Sequence, residues 1–293
     1  MDKLKPVIGI NIPSSIHSLE GLTKKLSEIY AAGFQAAELR LDSFPLIIGG
    51  EVCQPWLKKL KEIFLSSPLI LSTHIGRGLD LRVEENHSLH EQVLESSINI
   101  CKSLGSSTLV IHYEEESKNN RVENLFMESL LKGAHLAANE NVVLCIENIE
   151  VERVQPVINI VKEIDHPNLK MNFDTGHAFI ASKYFDFNFL ESLEKALPYL
   201  GHLHLSDNTG VFEESRLTDR TTHDTLPLGY RFEFGRGDIH LPPFWGKIPF
   251  SEVFKQLKDY NNLLICEYNS ERFIPFASDI QEQIRSEVIK HQS

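Results

Sequence analysis

Five histidines and four carboxylates stand at or near the C-terminal ends of apolar runs in this chain, and each has the chemistry of a divalent-metal ligand. They are His74 in LSTHIG, His112 in LVIHYE, Glu147 in LCIENIE, Asp174 and His177 in NFDTGHAF, His204 in HLHLSDN, Asp238 and His240 in GDIHLPP, and Glu267 in LICEYN. Such a side chain at the end of a buried strand sheds its water, at a cost on the order of several kcal/mol per charge unless a partner compensates. One shared positive centre accounts for all of them more simply than separate partners do. Mixed imidazole and carboxylate donors suit Zn²⁺ or Mn²⁺ better than Ca²⁺ or Mg²⁺, which favour shells of oxygen.

Spacing refines the set. Asp174 and His177 lie three residues apart where their run ends, so a turn brings both to one mouth. The alternative is that Asp174 caps a helix and His177 sits on its surface. His202 and His204 share one strand face, because side chains alternate with period two. His204, nearer the C-terminal end, is the ligand candidate, and His202 reads as a hydrogen-bonded interior histidine. Asp207 reads as a substrate contact or a partner orienting a ligand, and equally as the Asx turn of SDNTG.

Glu147 and Glu267 close the apolar runs VLCIE and LLICE. On well-separated strands of a closed barrel they face a small ligand from opposite sides, as required to deprotonate one face of a carbon and reprotonate the other. Arg40, Arg77, Arg82, Arg231 and Arg236 fall in segments near the same mouth. Any of them suits a phosphate or carboxylate, and Arg40 and Arg77 are the candidate substrate contacts among them.

Positioning these residues requires many strands. Apolar runs at 6–12, 35–42, 69–75, 108–114, 142–149, 169–174, 201–206 and 263–269 predict eight strands. Helical spacing over 19–32, 54–66, 84–104, 121–140, 155–164, 187–199, 250–260 and 278–291 predicts the intervening helices. Gly33 and Gly105 mark helix ends, and Pro156 stands in a first turn. Strict alternation of apolar strands and helices implies a parallel sheet covered by helices, and eight repeats close it into one (β/α)8 barrel over 1–293. An open doubly wound sheet is the alternative. Ligand residues at the ends of at least six strands argue against it, since they converge only on a closed sheet.

The segment 209–247 has no regular pattern and is too long for an ordinary connection. Its glycines, prolines and aromatics, among them Phe212, Tyr230, Phe232, Phe234, Phe244 and Trp245, predict an ordered excursion over the barrel mouth whose aromatics exclude water. With 29 Lys and Arg against 41 Asp and Glu, the formal charge is −12, which disfavours nucleic acid as a partner without excluding it. No N-terminal apolar leader or membrane-length run is present, and Cys53, Cys101, Cys145 and Cys266 are scattered without a CxxC, so a soluble, cytoplasmic protein is expected. A small molecule is the expected partner, and both a monomer and a homo-oligomer remain open.

The assembly resembles the xylose isomerase-like TIM-barrel superfamily (AP endonuclease family 2), which holds sugar isomerases, ketose 3-epimerases and endonuclease IV. The pieces that carry the resemblance are IEN with Glu147, DTGHA with Asp174 and His177, HLSDN with His204, and DIHLPPFWGKIPF with Asp238 and His240. The last is similar to the family pattern D-x-H-L-P-x-G-x-G-x-I, with Phe244 where a glycine is usual. The resemblance to single-metal epimerases implies four ligands, Glu147, Asp174, His204 and Glu267, the two glutamates serving also as acid and base. The resemblance to endonuclease IV implies a three-zinc cluster on all nine residues. Glu38, in ELRLD, resembles a strand-end carboxylate of the isomerases and is a further candidate substrate contact. One to three ions are therefore expected. The leading expectation is a metal-dependent isomerase or epimerase acting on a sugar, sugar phosphate or related polyol ketone through an enediolate, and the alternative is a multinuclear phosphodiester hydrolase.

Overall fold

In the computed structural model, which describes residues 6–76 and 78–292, the eight apolar runs form eight parallel strands. They are β1 (Val7–Asn11), β2 (Ala36–Arg40), β3 (Ile70–Ile75), β4 (Thr108–His112), β5 (Val143–Glu147), β6 (Leu169–Asp174), β7 (Leu200–Leu205) and β8 (Leu263–Cys266). Each pairs with its sequence neighbours, and β1 pairs with β8, so the sheet closes and the doubly wound alternative is excluded. Closure is what lets strand ends from all sides aim at one axis.

Helices at Leu19–Ala31, Gln54–Ser66, His87–Ser103, Asn120–Asn139, Val154–Ile164, Phe189–Ala196, Phe250–Gln256 and Ala277–Gln292 correspond to the expected segments. Two turns of the chain were not expected. A hairpin, Ile47–Ile48 with Glu51–Val52, interrupts the second connection, and a helix, Thr175–Tyr184, starts directly from β6. That helix is buried from Thr175 through Ser182, so it carries no amphipathic stripe by which its sequence could announce it.

The apolar core is essentially one continuous cluster between barrel and helices. Inside the barrel the upper half is polar instead: Glu38, Ser72, His74, Glu147, Asn172, His202 and His204 are at most 2% exposed. TIM barrels ordinarily fill this space with branched apolar side chains, so a polar interior marks where stability has given way to chemistry.

The segment 209–247 is ordered and contains three short helices, Ser215–Thr218, Arg220–Thr225 and Leu228–Phe234. Its aromatics do not wall the mouth as expected. Phe212 stacks on Tyr184 at 4.1 Å, Trp245 packs on Phe273 and Phe276, and Phe244 packs on Phe250 and Phe254, so they fasten the excursion to the barrel's flank. Phe244 has φ 74°, the left-handed conformation that explains why glycine suits this place in the family pattern. Among the described residues no helix is long and apolar enough to cross a membrane, and the four cysteines are unpaired.

Candidate metal centre

Strand register begins the positioning. In the parallel ladders His74 stands level with Arg40, His112 with Glu147, and Asp174 with His204. The last match depends on a bulge: Met171 pairs with Leu200 but Asn172 with His202, so Gly201 is passed over. Were Gly201 paired in regular register with Asn172 instead, Asp174 would stand level with Leu203, and the imidazole at 204 would point to the other face. Glu267 follows β8 directly, its amide donating to the Leu205 carbonyl at 3.0 Å.

Eight of the nine candidate ligands fall into three groups, the first two of which share Glu147 and His204. Glu147, Asp174, His204 and Glu267 form the first, His74, Glu147 and His204 the second, and His177, Asp238 and His240 the third, with donor atoms in each group within 4.8 Å of one another. His112 adjoins the second, its Nε2 lying 3.0 Å from Nε2 of His74 and 3.9 Å from Oε2 of Glu147. Glu147 links them: Oε2 is 3.5 Å from His74 and 3.4 Å from His204, while Oε1 is 3.3 Å from His177. Oε2 of Glu267 lies 2.8 Å from Nδ1 of His204, and Oδ2 of Asp238 lies 2.7 Å from His240 and 3.2 Å from His177.

Both alternatives for the DTGHAF motif hold in part. Asp174 caps the helix Thr175–Tyr184, Oδ1 accepting from the His177 amide at 2.6 Å, and it also belongs to the first group. His177 is buried rather than on the helix surface.

This donor set fits a divalent cation. Both carboxylate oxygens of Glu147, Oε2 of Glu267, Oδ1 of Asp238, and Nδ1 of His74 and His204 are buried with no hydrogen-bond partner among the described residues. Left without a cation, buried acceptors of this kind are costly, and protons must take the cation's place. The titration behaviour is that of such a proton-filled site. Burial resists the charge of Glu147, yet His204, His177 and His74 hold it well below the usual carboxylate range. Against its burial, Asp238 together with Glu267 and Asp174 raises His240 to about 10. His177 and His204 are likewise held well above the ordinary imidazole value by their carboxylates, burial notwithstanding. Burial, reinforced by the Glu147 and Glu267 charges, lifts Asp174 to about 6.

A cavity of about 270 Å³ opens above the groups, lined by His74, His112, Glu147, His177, Asp238, His240 and Glu267. Asp174 and His204 lie behind this wall. Arg40 also lines it, held to Asp42 through Nε at 3.1 Å and Nη2 at 2.7 Å. Arg40 crosses close above Gly76, where a Cβ would stand 2.7 Å from Nη2.

Other expected contacts lie elsewhere. Glu38 is 1% exposed and does not line the cavity; it sits beneath the centre, so the strand-end position that suggested substrate contact places it one layer too deep. Asp207 is fully buried and turned away, both of its oxygens taken by backbone amides of 208, 246 and 248. Arg77 lies outside the described residues. Arg82 pairs with Glu123 and stacks on Tyr113 and Phe126, Arg231 donates to the His223 carbonyl, and Arg236 pairs with Glu213. His202 is the interior histidine expected, Nδ1 lying 3.1 Å from Oδ1 of Asn172.

Three charged residues of the wall were not anticipated. Glu114 and Glu150 follow His112 and Glu147 by two and three residues, a proximity that was the available signal. Arg216 reaches the cavity from the excursion and pairs with Glu150 at 2.7 Å. Nothing in its sequence neighbourhood announces it.

Comparison with known proteins places the fold. An uncharacterized protein of Methanocaldococcus jannaschii is 22% identical over 274 residues, covering 89% of this chain and 84% of that protein. A crystal structure of a D-tagatose 3-epimerase-like protein superposes with a TM-score of 0.72 at 21% identity, covering 98% of this chain and 100% of the other. An L-ribulose 3-epimerase superposes with a TM-score of 0.69 at 15% identity, covering 98% and 96%. The sequence model of the xylose isomerase-like TIM barrel matches residues 26–290, nearly the whole chain, and the protein therefore belongs to the xylose isomerase-like TIM barrel family.

Proposed function

We propose that this protein is a divalent-metal-dependent isomerase or epimerase that moves a proton at a carbon next to the carbonyl of a small sugar-like ketone. The observation that carries the reading is the four-donor group of Glu147, Asp174, His204 and Glu267 at the base of a cavity of about 270 Å³, with both glutamates on its wall. A cation held there, Zn²⁺ or Mn²⁺ by the mixture of donors, supplies positive charge opposite the substrate oxygen on which negative charge develops. The chain does the rest. Glu147 approaches from the end of β5 and Glu267 from beyond β8, three strands away around the barrel, so one can accept the proton from one face of the carbon while the other delivers to the opposite face. The walls of the cavity limit the solvent that would compete for that proton. The fold neighbours named as 3-epimerases support the same reaction class.

A second reading, phosphodiester hydrolysis at a multinuclear centre, is favoured by one specific observation. His74, His112, His177, Asp238 and His240 supply more donors than one ion requires. The net charge of −12 weighs against a DNA substrate.

One experiment separates them. Zinc- or manganese-loaded protein incubated with ketoses and ketose phosphates in D₂O is expected to place deuterium beside the carbonyl, with Glu147→Gln and Glu267→Gln suppressing uptake. Cleavage of an abasic-site duplex or small phosphodiester, dependent on His74, His112 and Asp238 and without exchange across the sugar panel, would establish the hydrolase instead.

A further inference from the structure

We infer that Arg216 and Glu150 form a donor–acceptor couple that reads neighbouring hydroxyls of an uncharged polyol, so that the substrate is a sugar-like ketone rather than its phosphate. This deepens the isomerase reading and rests on it for the kind of ligand. Both side chains line the cavity, Arg216 at 7% exposure and Glu150 at 5%. Nε of Arg216 donates to Oε1 of Glu150 at 2.7 Å. That bond uses one N–H of the guanidinium fork and one oxygen of the carboxylate, so the couple still offers donors and an acceptor side by side. A hydroxyl can accept from the first and donate to the second.

Charge decides against an anion at this place. The guanidinium of Arg216 is matched by Glu150, and the Glu114 carboxylate stands on the same wall. Burial disfavours the charge on Arg216, yet Glu150, then Glu114 and Asp224, hold it protonated all the more firmly. Arg40, the other arginine of the described wall, is matched too, its Nε and Nη2 both donating to Asp42. A phosphate monoester carries a charge of about −1.5 to −2 at neutral pH, and beside Arg216 it would stand against Glu150 and Glu114. A hydroxyl brings no such repulsion. The couple is also built before any ligand arrives. Leu217, next to Arg216, packs on the small apolar cluster of Ile149, Val151, Ile180 and Phe212, so the excursion is fastened to the loop that carries Glu150. Groups held in place in this way lose little freedom on binding.

The test uses zinc-loaded protein and unreactive probes: pentitols and hexitols, the reduced forms of ketoses, and their terminal phosphates. Dissociation constants are measured by ligand-observed NMR for the wild type, Arg216→Lys and Glu150→Gln, beside the zinc content and melting temperature of each. At least one polyol is expected to bind the wild type more tightly than its phosphate does. Arg216→Lys keeps the charge but loses the fork, and is expected to weaken that polyol roughly 10–100-fold. Glu150→Gln leaves the guanidinium charge unmatched, so the preference is expected to move roughly tenfold toward the phosphate. Mere loosening of the excursion would weaken both ligands alike. A wild type that binds no polyol, or binds every phosphate more tightly than its polyol, would overturn the inference, as would a Glu150→Gln preference equal to the wild type's. The wild-type comparison decides even where a variant does not fold. Deuterium uptake by ketoses keeps this inference apart from the reading beneath it. Uptake confined to ketose phosphates would overturn the couple and keep the isomerase. Polyol binding in the expected order, without uptake from any ketose, would overturn the isomerase and keep the couple.

Discussion

Replacing Asp207 by alanine should release the excursion 209–247 and, with it, the third donor group. Asp207 touches neither the cavity nor a candidate ligand, yet its carboxylate ties down the far end of this segment. Oδ2 accepts from the Gly246 amide at 2.7 Å, and Oδ1 accepts from Ile248 at 3.0 Å and from its neighbour Asn208 at 2.7 Å. Hydrogen bonds to a charged group are worth roughly 1.5–3 kcal/mol each, and removing the acceptor strands buried donors. Two of the three bonds span about 40 residues, so the local opening energy should fall by roughly 3–6 kcal/mol. At 1.4 kcal/mol per factor of ten, the lower bound makes the Gly246 and Ile248 amides exchange about a hundredfold faster. The Asp207–Leu241 backbone bridge survives the substitution and keeps the segment from detaching. Asp238 and His240 lie in this segment, so zinc uptake by their group should drop while the groups on the barrel strands keep theirs. Hydrogen exchange read by mass spectrometry, with zinc content measured on the same sample, checks both. Unchanged protection at Gly246 and Ile248 would refute the claim that this carboxylate anchors the excursion.

Metal binding near neutral pH should release protons, because His177, His204 and His240 are held above their ordinary values in the metal-free protein, His240 at about 10. Zinc affinity should therefore rise with pH, and calorimetry in buffers of different ionisation enthalpy should show net proton release; none at pH 7 would contradict the arrangement. The sign for stability runs the other way. A histidine raised on folding stabilises fully below its unfolded value near 6.5 and loses that contribution as pH climbs toward about 10, so the metal-free protein should weaken over that window. Gly176→Ala should cost about 1–3 kcal/mol in denaturant titration and lower zinc affinity, since a Cβ there collides with the Ser206 hydroxyl and stands 3.3 Å from Oδ1 of Asp174. Stability and affinity equal to wild type would show that the helix start after β6 tolerates movement.

The sequence by itself determined the strand and helix alternation, because apolar runs of strand length and helices with one apolar stripe are local patterns. It also singled out candidates for the site: an unpaired Glu, Asp or His ending an apolar run is anomalous wherever the strand lies, which marks His74, His112, Glu147, Asp174, His204 and Glu267, while His177, Asp238 and His240 came with the motifs DTGHA and DIHLPP. The buried helix Thr175–Tyr184 escaped it for the complementary reason, being covered on every side. What tertiary structure decided is which of the polar residues share a layer. Glu38 and Arg40 are two residues apart on one strand, yet the first points beneath the centre and the second into the cavity. Asp207 lies three residues after His204 but faces the amides at 246 and 248, a partnership set by how the excursion folds back. Arg216 reaches the wall only because a short helix of that excursion lies against Glu150. The bulge at Gly201 that levels Asp174 with His204 is likewise a property of the paired strands. Depth along a barrel axis and contact across a long connection depend on closure and on register between strands. Neither is a property of any one stretch of chain.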